Sequence, residues 1–365
     1  MAFSQRTPVL WLLALIATII SPAIAQTWTS CNPMEKECSP HPALSTNYTT
    51  DFTGHMNDVI WNTTAGEIVT GQHGAEFTIA RRLESPTIQS HFYIFFGRLE
   101  VHMRAATGKG IVSSIVLQSE TLDEIDWEWV GSDEKRVQSN YYGKGNATTY
   151  DRVGYHDVED PMGKMHNYTV HWTKEKLEWW IDEKLVRTLR YEEALDGYNY
   201  PQTPSTVRLG IWPAGDPENS EGTIEWAGGE VDYDAGPYTM LVKQLKVEDF
   251  SSGKEYVYSD KSGSWESIDI IGGKNSITEE VQKPPPKSLS QKWAELPSGA
   301  KIAIYCSIAA VVALGISIMA FCCVKQRRLG RKEYSLEQSK FLADQDSNVT
   351  LRSNWNGGYK QVRGG

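Results

Sequence analysis

The segment Asp123-Glu-Ile-Asp-Trp-Glu-Trp129 alternates acid with large hydrophobe, and this pattern limits what the chain can become. Side chains on a β-strand point to opposite faces in turn. As a strand, the segment sets Ile125, Trp127 and Trp129 on one face and Glu124, Asp126 and Glu128 on the other. The apolar face needs a core to cover it. Acidic residues are depleted in strands, so three on the opposite face call for a use.

The surrounding sequence supplies partners for such a strand. From about residue 45 to 250 it reads as short strands broken by Gly, Pro, Asn and Asp turns, among them Phe92–Met103, Ile111–Gln118, Ile125–Val130, Tyr168–Thr173, Leu177–Ile181, Val207–Trp212 and Thr239–Val247. Lys174–Lys176 reads as a hairpin connection. Helical periodicity is scarce, with a turn or two expected near Tyr191–Leu195. This predicts an all-β fold, a two-sheet sandwich of jelly-roll type. The 13 Trp and 17 Tyr are an unusual load. Aromatic rings either fill a β core or line a sugar groove, where the apolar faces of pyranose rings stack on indole.

The ends of the chain read as addresses. Arg6, the apolar run Val9–Ile20 and Ala23-Ile24-Ala25 make a signal peptide over residues 1–25. Residues 302–324 form an uncharged apolar segment of about 23 residues, long enough as a helix to cross a bilayer. Lys325, Arg327, Arg328, Arg331 and Lys332 follow it, which places that side in the cytoplasm. The expectation is a single-pass type I protein held in the bilayer by one helix. Its domain (26–250) is outside, 251–300 is a linker or stalk containing Pro284-Pro285-Pro286, with residual structure near Tyr256–Trp265, and 325–365 is a disordered cytoplasmic tail. A glycosylphosphatidylinositol signal is the alternative, but about 40 polar residues follow the apolar segment.

Export fits the cysteines. Cys31 and Cys38 are the two in the outer part, and in an oxidising compartment they most simply form one disulfide. No His or Cys cluster has ligand spacing, so no metal is expected. Asn47, Asn62, Asn146 and Asn167 head Asn-X-Ser/Thr sequons and are candidate glycan sites. The formal charge is −10, and no basic stretch in the folded part suits nucleic acid.

Three carboxylates in a row raise the pKa of at least one member. A glycosidase needs that division, with one carboxylate ionised and one protonated near neutral pH. In a retaining mechanism one attacks the anomeric carbon, while the other protonates the leaving oxygen and later acts as base. Positions i and i+4 of a strand lie ~13 Å apart at Cα, so the outer two must lean inward over Asp126. A solvated acidic edge and a calcium site are the competing accounts; no EF-hand spacing is present.

These residues are also familiar. Glu124-Ile125-Asp126-Trp127-Glu128 resembles the E-I-D-x-E signature of glycoside hydrolase family 16, whose members share a concanavalin-like β-jelly-roll and a retaining mechanism. With Asn140-Tyr-Tyr-Gly-Lys144 and Ile211-Trp-Pro-Ala-Gly-Asp216, residues 26 to 250 resemble the fungal Crh cell-wall transglycosylases. Such enzymes cut chitin and join it to β-1,3- or β-1,6-glucan without a cofactor. The resemblance implies Glu124 as nucleophile, Asp126 as assisting carboxylate and Glu128 as acid/base. It also implies Arg208, Trp212 and Thr223 as chitin contacts, with Glu128 facing the bond being broken. The chain departs from relatives that are lipid-anchored or carry a Cys-rich chitin-binding module.

Along Thr206–Trp212, alternation puts Arg208, Gly210 and Trp212 on one face, offering a guanidinium, a gap and an indole platform. Arg208 paired to an acid for structure alone is the competing account. Asn140 and Tyr142 share a strand face and are further candidates; Trp226 either stacks on sugar or fills core. The leading expectation is a monomeric transglycosylase with a chitin donor and a β-glucan acceptor. A hydrolase of the same fold, with chitinase activity, and a non-catalytic glycan-binding protein are the alternatives.

Overall fold

The computed structural model describes residues 28–149, 151–283 and 293–356. They fall into two units divided between Lys283 and Pro284. The expected signal peptide at 1–25 lies outside the described residues, as do residues 284–292 of the expected linker.

The first unit is the expected jelly-roll sandwich. Its first six strands are β1 (His41–Pro42), β2 (Asn47–Asp51), β3 (Trp61–Ala65), β4 (Ile68–Gly71), β5 (Gly74–Ile79) and β6 (Thr87–Ser90). Next come β7 (Gly97–Arg104), β8 (Val112–Ser119), β9 (Glu124–Val130), β10 (Arg136–Tyr142), β11 (Gly154–Asp157) and β12 (His166–Trp172). The last are β13 (Lys176–Ile181), β14 (Lys184–Arg190), β15 (Ser205–Trp212), β16 (Tyr238–Asp249), β17 (Glu255–Tyr258) and β18 (Ile268–Ile271). One sheet runs β11-β10-β9-β8-β15-β6-β3 and the other β14-β13-β12-β7-β16-β5-β4, with β2 also paired to β16. All pairings in both are antiparallel. The expected hairpin joins β12 to β13, and the expected turn near Tyr191 is a 3₁₀ helix over Tyr191–Glu193.

The strand β9 behaves as its alternation requires. Ile125, Trp127 and Trp129 are at most 1 % exposed and face the opposite sheet. Tyr168 of β12 meets the Trp129 ring edge-on at 4.5 Å and the Trp127 ring at 5.7 Å. Burying each such aromatic contributes roughly 1.5–3 kcal/mol, so the dry face fixes which way the acids point. The expected disulfide Cys31–Cys38 is present.

Two expectations need correction. Residues 251–283, expected as linker, are folded onto the sandwich: β17 and β18 pair with β1 in a third sheet, and helix α2 (Ser276–Val281) follows helix α1 (Glu221–Trp226). The sequence there looks polar, yet Tyr256, Ile268 and Ile277 are buried in the main core. Asp249 ties this addition down, accepting from Ser45 N (2.8 Å), Phe95 N (3.1 Å) and the Tyr256 hydroxyl (2.5 Å). The second correction concerns the tail. In the second unit helix α3 spans Ser298–Asn356 and so continues through residues 325–356, where disorder was expected. Its polar half is rich in Lys, Arg, Glu, Gln and Leu, all good helix formers. Within α3 an apolar stretch is long enough to cross a membrane.

Candidate active site

The acidic face of β9 forms part of the outer face of the seven-stranded sheet, and register shows what surrounds it. Antiparallel partners share a face, so each acid heads a cross-strand row. Glu124 lies between Tyr142 and Gln118, Asp126 between Asn140 and Val116, and Glu128 between Gln138 and Ser114. The Asp126 row continues from Val116 to Arg208 and Gln89, and the Glu128 row from Ser114 to Gly210 and Thr87.

Asp126 is 2 % exposed, whereas Glu124 and Glu128 keep partial exposure. Burial is the main force that raises the Asp126 carboxyl, to about 7, against hydrogen bonding with Glu124, the Arg187 charge and the Asn140 backbone N–H. Burial also lifts Glu124 well above the carboxylate range; the Asp126 and Glu128 charges add to this, and Arg208 opposes it. For Glu128 burial and then Asp126 raise the pKa, while the nearby Trp212 indole N–H opposes the rise. Neighbouring carboxylates of this kind titrate as a set rather than singly. Their environments are nonetheless distinct: a cation acts on Glu124, and an indole acts on Glu128.

The flanking expectations fall into place unevenly. Arg208 and Trp212 lie on the groove face of β15 with partial exposure. Gly210 is not an open gap, because a Cβ there would meet Thr87 Oγ1 at 2.6 Å. Asn140 donates to the Tyr142 hydroxyl at 3.1 Å, and both border the acids. Burial, with the nearby Asp126 and Glu124 charges, pushes Tyr142 up to about 12. Thr223 sits in α1, one turn before Trp226, its backbone N–H capped by Ser220 Oγ at 3.2 Å. Trp226 is half-buried: its ring stacks on Trp212 at 6.0 Å, and its Nε1 donates to Gln138 Oε1 at 3.0 Å. It is thus neither pure core nor free platform. Beside it an open cleft of about 650 Å³ is lined by Val130, Arg136, Gln138, Tyr155 and Trp226 among others.

Sequence reading missed several contributors. Gln118, Gln138, Gln89 and Glu120 become visible only through register and loop placement. Arg187 of β14 lies over the Trp179 ring at 4.6 Å and reaches Ser139 O at 2.7 Å, while Trp179 donates to the Asp126 carbonyl at 3.2 Å. Asp123, the first acid of the run, is fully buried away from the row and accepts from Lys144 N, Gln202 N and Thr203 Oγ1. Its part is to hold loops. Among the described residues no group of three or more His, Cys, Asp or Glu is arranged to hold a metal ion.

The family model for Glycosyl hydrolases family 16 matches residues 54–228. The chain is 60 % identical to a Crh-like protein of Arthroderma benhamiae, over 99 % of this chain and 100 % of that protein. It is 52 % identical to Crh-like protein 3 of Aspergillus fumigatus, over 95 % of each. Among solved structures, apo Crh5 transglycosylase matches with TM-score 0.64 at 52 % identity, covering 66 % of this chain and 100 % of that one. Crh5 transglycosylase in complex with NAG matches with TM-score 0.65 at 53 % identity, covering 66 % and 99 %. The chain belongs to glycosyl hydrolase family 16 and, within it, to the Crh-like proteins.

Proposed function

We propose that the protein is a retaining transglycosylase of the fungal cell wall that cleaves chitin and passes the new end to β-1,3- or β-1,6-glucan. The observation that carries this reading is the row Glu124, Asp126, Glu128 on one face of β9, with Arg208 acting on Glu124 and Trp212 on Glu128. Glu124, in the ionised form that Arg208 favours against burial, attacks the anomeric carbon of a β-1,4-linked N-acetylglucosamine unit. Glu128, kept protonated by burial and by Asp126, gives its proton to the leaving oxygen. The products are a glycosyl ester on Glu124 and a free chain end. An acceptor hydroxyl then loses its proton to Glu128 and attacks the same carbon, which releases Glu124. Asp126 hydrogen-bonds with Glu124 and tunes both partners.

The donor lies on the β8–β15–β6 side, where Arg208 and Trp212 stand. The acceptor enters the cleft beside Trp226, Gln138 and Tyr155, where an indole surface favours a sugar over water. That a 53 % identical transglycosylase is known in complex with NAG supports a glycan as the substrate class. The disulfide fits an exported domain, and α3 fits a single anchor with the catalytic unit outside and Lys325, Arg327 and Arg328 in the cytoplasm. In this reading the described catalytic unit ends at Lys283.

The test incubates the detergent-solubilised full chain with chitin oligosaccharides, with and without a labelled laminarin oligosaccharide, and reads products by mass spectrometry. Hybrid chitin–glucan products are expected. Shortened chitin with no hybrids would assign hydrolysis instead.

A further inference from the structure

The sequon at Asn62 has a position that the other three lack. Asn62 lies on β3, the strand that ends the groove sheet, and pairs with Gln89 of β6. Gln89 pairs with Arg208, Arg208 with Val116, and Val116 with Asp126. Partners across an antiparallel ladder point to the same face. Asn62 is therefore the terminal residue of the row that runs through Arg208 to the central carboxylate, and it is exposed. By contrast, Asn47 is on β2 and Asn167 on β12, both in the opposite sheet. Asn146 lies in the turn beyond β10, where its amide donates to Asn199 Oδ1 at 2.8 Å.

The direction of the substrate follows from the chemistry. In a retaining reaction the nucleophile and the acid/base approach the reacting sugar on different sides, so the line between them crosses the polysaccharide. Glu124 and Glu128 are aligned along β9. The polysaccharide then runs across the strands, along the rows. Four strand spacings separate β9 from β3, ~19 Å, the reach of a short oligosaccharide. Whatever stands on Asn62 stands in the path of a longer one.

We propose that Asn62 carries an N-linked glycan that closes the β3 end of the groove and limits the length of polysaccharide seated on the Arg208 side. This rests on the donor reading above and on export through the secretory pathway. The glycan is itself a hydrated, mobile oligosaccharide. A donor long enough to pass β3 must displace it and loses affinity; a donor ending before β3 does not meet it. A glycan on an edge strand also blocks pairing with another chain, a purely structural service that changes folding or export yield but not selectivity for substrate length.

The test uses the full chain in detergent with Glu124→Gln, so that binding is read without turnover. The sequon is Asn62-Thr63-Thr64, so Thr64→Ala removes it, Thr64→Ser keeps it, and Asn62→Gln removes it independently. Glycopeptide mass spectrometry reads occupancy, and calorimetry reads the Kd of chitin oligosaccharides of increasing length. Occupied Asn62 is expected. Loss of the glycan in Thr64→Ala should lower Kd several-fold for oligosaccharides that extend past β3 and leave Kd for short ones unchanged, with Thr64→Ser matching the parent. An unoccupied Asn62, or a length profile in Thr64→Ala and Asn62→Gln identical to that of the glycosylated parent, overturns this inference alone. Failure of either form to bind chitin oligosaccharides of any length overturns it together with the donor reading.

Discussion

Trp212 and Trp226 stack with ring centroids 6.0 Å apart and planes inclined by 28°. One comes from the end of β15 and the other from the short helix α1, so the pair joins the carboxylate rows to the Trp226 cleft. Removing Trp226 strips the proposed acceptor side of its indole while leaving Glu124 and Glu128 in place. Trp226→Ala is expected to raise the acceptor KM by about 3- to 10-fold, the value of one lost aromatic contact. The hybrid-to-hydrolysis product ratio should fall with it, and Trp226→Phe should keep part of both. An unchanged ratio in Trp226→Ala would remove the acceptor from this cleft.

Glu124→Gln and Glu128→Gln separate the two halves of the chemistry. Without the Glu124 carboxylate no glycosyl ester forms, and transfer should vanish. Without the Glu128 proton, kcat should fall about 10²- to 10⁴-fold. Trapping of a covalent glycosyl-peptide by mass spectrometry should place the sugar on the peptide containing residue 124. Full transfer by either folded variant would refute the assignment.

Asp126 sets a pH dependence of stability with a defined sign. Its carboxyl is lifted to about 7 from an ordinary 3.8, so between these values the folded chain holds a proton that the unfolded chain releases. The contribution is fully present below about 4 and is lost as pH rises through 7. Asp126→Asn has no such loss. Its Tm advantage over the parent, measured by calorimetry, should therefore be near zero at pH 4 and grow to several degrees by pH 8, while activity drops. A Tm advantage that shrinks over that range would contradict the sign.

The corrected boundary makes a fourth prediction. A chain of residues 26–250 cuts away Tyr256, Ile268 and Ile277, all buried in the core, and removes the hydroxyl that caps Asp249. The lost burial is on the order of 5 kcal/mol, against a total stability of about 5–15 kcal/mol. Residues 26–283 should express as a cooperative folded unit, and 26–250 should be aggregated or show a much lower Tm by circular dichroism.

What the sequence made legible follows a physical division. Period-two alternation is local, so Glu124, Asp126 and Glu128 and their dry partners Ile125, Trp127 and Trp129 were readable without a structure. So were Arg208 and Trp212, by the same alternation on β15. Cross-strand register is not local. Nothing in the linear chain places Gln118 beside Glu124, Arg187 near Asp126, or Asn62 at the end of the Arg208 row. Short elements held by tertiary contact were also lost: α1 has only six residues, and β17 and β18 have four each amid Ser, Gly and Lys. The segment carrying β17 and β18 is held by partners more than 200 residues away: Gly253 N donates to Ser45 Oγ, and the Asn275 side-chain amide to the Ala43 carbonyl.

Arg208 offers the sharpest link between electrostatics and rate. Its charge opposes the burial and the neighbouring acids that raise Glu124; burial lowers the guanidinium's own pKa, and Glu120 and then Glu124 oppose that fall. The proposed mechanism needs Glu124 ionised. Removing the cation raises the pKa of Glu124, so a higher pH is needed to ionise it. Arg208→Gln should therefore shift the acidic limb of the kcat/KM–pH profile upward by about one unit or more, beyond any loss of donor affinity. Arg208→Lys keeps a charge and should shift the limb less. If Arg208 served only to grip the donor, KM would rise in both variants while the acidic limb stayed where it was, and that profile would refute its action on the nucleophile.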